Sequence, residues 1–174
     1  MNREVRMNQT RGILCLNEAP YRAAQKHTNL AQRLIFHENE PLLSQVQTAL
    51  WQLRLSCEWV CVAAEGGEAL AALALAAQLP VDRLALKGVW LNLPRRGREM
   101  ARLRRYALRN LPLVISDALL IGAPEEEIKI LLRSRRHGGL CALEAQDWSQ
   151  CAQLLTAPWD RATENNLLIP MKCV

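Results

Sequence analysis

The 174-residue chain has little aromatic character, with one phenylalanine and two tyrosines beside five tryptophans. No apolar run reaches the roughly 18 residues of a membrane-spanning helix. The first residues, MNREVRMNQTRGILCLNEAP, lack the apolar stretch and small-residue cleavage site of a secretory signal, so a cytoplasmic protein is expected. No glycine loop ending in Gly-Lys-Ser or Gly-Lys-Thr follows a candidate strand. The stretch that would hold one reads Ala63-Ala64-Glu65-Gly66-Gly67-Glu68-Ala69, without lysine or hydroxyl, and its two glutamates would repel a phosphate. The same stretch has the outline of a hydrolase strand-turn-helix but offers no serine or cysteine at the turn. A small hydrolase therefore ranks last among the readings, and no cofactor is expected. His27, His37 and His137 are isolated in sequence and read as surface residues.

Six cysteines, Cys15, Cys57, Cys61, Cys141, Cys151 and Cys173, are irregularly spaced in a chain large enough to fold without disulfide staples, and reduced thiols are expected. Cys57 and Cys61 have no second Cys/His pair at zinc-ligand spacing, so no metal site is expected.

Half of the residues are apolar, enough for one buried core. Residues 1–28 mix charge, Asn and Gln around the short apolar patch Gly12 to Leu16, and read as a flexible arm. A single domain is expected over 29–155. Leu34-Ile35-Phe36 reads as a strand before the turn Glu38-Asn39-Glu40-Pro41. Leu42, Val46, Ala49 and Leu53 then recur at helical spacing over 41–55. Trp59 to Ala64 is a short buried strand. An alanine-rich helix runs from Gly66-Gly67 to about Gln78 and is broken by Leu79-Pro80. Further strands are expected at 83–90, 113–121 and 140–143, and helices at 98–110, after Pro124, and at 147–155. Strands alternating with helices predict an α/β fold with a mostly parallel central sheet flanked by helices. Residues 156–174 read as a tail.

Asp117 follows the apolar run Leu111 to Ser116 and reads as a strand-end polar residue. The clearest positive feature is Arg98, Arg102, Arg105 and Arg109, whose 4, 3, 4 spacing lines one helical face with Met100, Leu103 and Ala107 opposite. A solvated outer face is the plainest reading. An acidic protein surface ranks next, consistent with the net charge of +5, and nucleic acid ranks behind it because no aromatics interleave the arginines.

From about Asn29 to Ala145 the chain resembles the SulA family of cell-division inhibitors. The likeness rests on Leu34 to Gln45, Glu58-Trp59, Leu79-Pro80 with Arg83 following, Ala107-Leu108-Arg109, and Glu125-Glu126-Glu127 at a helix start. It implies a RecA-like three-layer domain, without a nucleotide site or catalytic residues, that dimerises, binds FtsZ and blocks its polymerisation in the DNA-damage response. It also implies removal by the Lon protease through the C-terminal tail, although the ending Met171-Lys172-Cys173-Val174 differs from that of enterobacterial members. The family's contact positions align with Glu58, Ala63, Leu73 and Arg83, and only Arg83 keeps the chemical type. Arg83 is accordingly expected on the surface, where charge reversal would spare the fold. The alternative is a RecA-like accessory protein of DNA repair and translesion synthesis, similar to ImuA, using the Arg98 to Arg109 face.

Overall fold

The computed structural model describes residues 10–89, 98–109, 115–126, 128–129, 139–143, 147–157 and 171–173. Its strands are β1 (Arg11–Cys15), β2 (Ala31–Arg33), β3 (Trp59–Glu65), β4 (Val81–Lys87), β5 (Ile115–Ile121), β6 (Gly139–Leu143) and β7 (Met171–Cys173). Its helices are α1 (Glu18–Ala24), α2 (Leu42–Arg54), α3 (Gly66–Ala76), α4 (Arg98–Arg109) and the single turn α5 (Trp148–Cys151), which continues as a 3-10 turn at Ala152–Leu155. The strands form one sheet in the order β2-β1-β3-β4-β5-β6-β7, parallel except for the antiparallel β6/β7 pair.

Both faces of the sheet are covered, which is why its strands are apolar runs rather than alternating ones. Leu14, Val62, Leu84, Leu86 and Leu120 face one layer, formed with α2, α3 and α4. Ile13, Cys15, Cys61, Ala63, Ala85, Leu119 and Ile121 face the other, formed with α1, α5 and the 3-10 turn. The fold is a three-layer α/β sandwich. α3 is apolar on every side and is correspondingly buried from Ala69 to Ala76. It packs between α2 and α4. Those outer helices meet where the Leu42 N–H donates to Glu99 Oε1 at 2.9 Å.

Three expectations need correction. Residues 11–24 lie within the expected arm, yet they form β1 and α1, and β1 is hydrogen-bonded to β2 on one side and β3 on the other. A five-residue run buried on both faces carries no alternation, so its apolar patch could not be told from a local cluster. The strand expected at Leu34-Ile35-Phe36 is instead β2, which ends at Arg33. Leu34 and Phe36 are only partly buried against the core and Ile35 is exposed. The expected tail returns to the sheet through β7, where Cys173 pairs with Cys141 and Met171 with Leu143.

α2 begins one residue after Pro41, and Gln45 explains how the preceding turn is held. Its Nε2 donates to the carbonyls of His37 (2.9 Å) and Glu40 (2.8 Å), and its Oε1 accepts from the His37 N–H at 2.8 Å. At the other end of α2, Arg54 Nη2 donates to the Pro80 carbonyl and to Asp82 Oδ2, each at 2.9 Å. Asp82 Oδ2 also accepts from the Val60 N–H at 2.9 Å, tying α2 to the starts of β3 and β4.

Candidate partner-binding surfaces

In open parallel sheets ligands collect beyond the carboxyl ends of strands where the order reverses. Here that point lies between β1 and β3. Glu65 closes β3, and Gly66 turns the chain into α3 at φ 62°, a left-handed conformation that glycine adopts without a Cβ penalty. The Glu65 N–H donates to Asn17 Oδ1 at 2.8 Å, and Asn17 Nδ2 donates to Glu68 Oε2 at 3.2 Å. The indole of buried Trp148 donates to Glu65 Oε2 at 2.7 Å. Glu65 and Glu68 thus place the chain's own carboxylates at the positive end of α3, the kind of position that binds phosphate in nucleotide-binding folds. The cluster joins α1, α3 and α5. The two glutamates of this strand-to-helix turn are engaged in structural hydrogen bonds.

Arg83 is not on the surface. Its side chain is 1% exposed, and its Nη1 donates to the carbonyls of Leu154 and, at 2.7 Å, Ala157. Its Nη2 pairs with Asp117 Oδ2 at 3.2 Å. The guanidinium also lies 5.0 Å from the centroid of the Trp59 ring, and the guanidinium of Arg11 lies 5.0 Å from the same ring. Arg11 in turn donates to the Thr156 carbonyl. Two arginines from the strands flanking β3 therefore hold the end of the 3-10 turn against the sheet. Asp117 sits inside β5, opposite Arg83 in the β4/β5 register, rather than at a strand end.

The other expected contact positions divide. Glu58 is exposed, immediately before β3. Ala63 (0% exposed) and Leu73 (2%) lie in the two core layers and present no side-chain surface to a partner. The four arginines do share a face: Arg98, Arg102, Arg105 and Arg109 are all exposed, while Leu103 and Ala107 are buried on the other side of α4. The side chain of Met100, the segment Arg133-Ser134-Arg135-Arg136 and His137 lie outside the described residues; His27 and His37 are exposed. Cys15, Cys57, Cys61 and Cys151 are buried free thiols. Burial pushes Cys61 and Cys151 up to about 12, so they remain protonated and poorly nucleophilic near neutrality. Among the described residues no group of three or more metal-ligating side chains occurs.

Sequence reasoning missed a surface at the C-terminal end of α2. Trp51 is 58% exposed and Leu55, one turn later, 90% exposed. Beside them is a groove of about 220 Å³ lined by Leu50, Trp51, Arg54, Leu79, Pro80 and Asp82. The available signal was position: Trp51 and Leu55 fall off the stripe of Leu42, Val46, Ala49 and Leu53 that faces the core. No protein-family model matches the chain, and no curated protein matches its sequence. No helix among the described residues is long and apolar enough to cross a membrane.

Proposed function

We propose that this chain acts by binding a protein rather than by catalysis, and that the partner is the division protein FtsZ, whose polymerisation it blocks. The observation that supports protein binding is the exposed Trp51/Leu55 pair beside its groove, because large aromatic and aliphatic side chains next to a pocket are what interfaces bury. The choice of partner rests on the resemblance of residues 29–145 to the SulA family. In this reading the protein sequesters FtsZ subunits, and GTP turnover falls because assembly is lost. The contact surface is then the α2 edge rather than the buried Ala63, Leu73 and Arg83.

Titrating the protein into FtsZ of the same organism, with light scattering and GTP turnover as readouts, tests the reading. Loss of both signals near one equivalent is expected. Leu55→Glu, at a site too exposed to carry the fold, should weaken inhibition at least tenfold. Unchanged assembly with folded protein would overturn the proposal and favour the DNA-repair accessory reading, which the arginine face of α4 supports.

A further inference from the structure

We propose that the outer face of α4 is a binding surface for the phosphate backbone of nucleic acid. This inference is independent of the FtsZ reading, which uses a different surface.

At 3.6 residues per turn, Arg98, Arg102, Arg105 and Arg109 fall within about 60° of one another around the helix and extend about 17 Å along it. All four are exposed. The buried side of the helix, at Leu103 and Ala107, lies opposite, so no part of the stripe serves the core. Tyr106 and Leu108, 36% and 38% exposed, sit at its margins.

Four arginines elsewhere in the fold have carboxylate partners: Arg22 and Arg33 with Glu18, Arg54 with Asp82, and Arg83 with Asp117. Among the described residues none of the four stripe arginines has one. The single acidic residue of α4, Glu99, accepts the Leu42 N–H instead. Like charges three and four residues apart repel along a helix, so the stripe is held without internal compensation. A linear array of anions would supply the counter-charge that no described residue provides.

Nucleic acid fits that description better than an acidic protein does. Protein interfaces centre on apolar residues with charge at the rim, whereas here the charge is central and the apolar residues are marginal. One strand of a duplex carries about five phosphates over a length of about 17 Å, and arginine is a preferred partner for phosphate oxygens. Contacts of this kind position the strand without reading its sequence.

The full-length chain should bind fluorescein-labelled oligonucleotides of about 20 residues, single- or double-stranded, in fluorescence anisotropy at about 50 mM salt, with little dependence on base sequence. With about four phosphates neutralised, raising salt to about 200 mM should weaken duplex binding about 150-fold and single-strand binding about 50-fold. Arg102→Glu/Arg105→Glu should reduce affinity at least tenfold and flatten the salt dependence, with an unchanged melting temperature. Absence of binding at low salt, binding insensitive to salt, or full affinity in the folded double variant would each overturn the proposal. Displacement by poly-glutamate as effectively as by unlabelled DNA would overturn it in favour of an acidic protein partner.

Discussion

The guanidinium of Arg83 lies 5.0 Å from the ring centroid of Trp59 and, through Nη2, 3.2 Å from Asp117 Oδ2. Arg83 is fully enclosed, and its Nη1 reaches the carbonyls of Leu154 and Ala157, so one side chain joins β3, β4, β5 and the 3-10 turn. Arg11 approaches the same ring from β1 and holds Thr156.

Arg83→Glu should therefore behave as a core mutation. It would bury a carboxylate beside Asp117 and leave the carbonyls of the 3-10 turn without their donor. Removing one partner of a buried ion pair typically costs about 3–5 kcal/mol, and reversal should reach at least that. Urea unfolding of Arg83→Glu and Arg83→Met gives the comparison. Arg83→Met keeps the volume and should lose less, whereas wild-type stability in Arg83→Glu would mean the side chain is not enclosed.

Gly12 is limited by space. A Cβ there would lie 2.7 Å from Cys57 Sγ and 3.1 Å from Leu53 Cδ1, contacts that force β1 away from α2. Gly12→Ala should destabilise by about 1–3 kcal/mol, as overpacking commonly does. Cys57→Ala removes the nearest atom, so the double variant should recover part of the loss in thermal or urea denaturation. A double variant whose losses simply add would show that the clash lies elsewhere.

Elements with a sustained pattern were legible before the structure. The helical stripe of Leu42, Val46 and Ala49 and the arginine face of α4 lie where periodicity put them, the apolar run Trp59 to Ala64 is β3 short of its last residue, and the helix of α3 stops before Leu79-Pro80. β1 and β7 were not legible because a run of three to five residues has no period, and their identity comes from pairing across the sheet. Arg83 misled for a related reason. A lone arginine reads as surface unless buried acceptors are known, and its acceptors at Leu154 and Ala157 are more than 70 residues away. The outward direction of Trp51 and Leu55 was legible in the same helical register that located Val46.

Gln45→Ala tests the turn before α2. The buried amide supplies three hydrogen bonds to His37 and Glu40, and its removal leaves the His37 N–H and two carbonyls to find water. A loss of about 1–3 kcal/mol is expected from such unsatisfied groups. Hydrogen exchange should also accelerate at the His37 amide. Unaltered exchange at that amide would mean the turn is held by other contacts.

The buried thiols give the stability a defined dependence on alkaline pH. Cys61 and Cys151 are pushed up to about 12, chiefly by burial, and Cys15 is raised further by burial and by the neighbouring Cys61. In the unfolded chain a thiol ionises near its ordinary value of about 8.5–9. Between about pH 9 and pH 12 the folded state therefore holds protons that the unfolded state has released, and stability falls as pH rises. Each such thiol contributes a slope of roughly 1.4 kcal/mol per pH unit within that window, and none below pH 8. Urea midpoints measured between pH 7 and pH 10.5 should be flat at first and then decline. Cys61→Ala or Cys151→Ala should lessen the decline after allowance for its own packing loss at pH 7. At pH 8, alkylation with iodoacetamide read by mass spectrometry should spare Cys15, Cys61 and Cys151 in the folded protein and modify them in urea. Rapid native labelling of Cys61 would show that the layer between β3 and α5 is open to solvent.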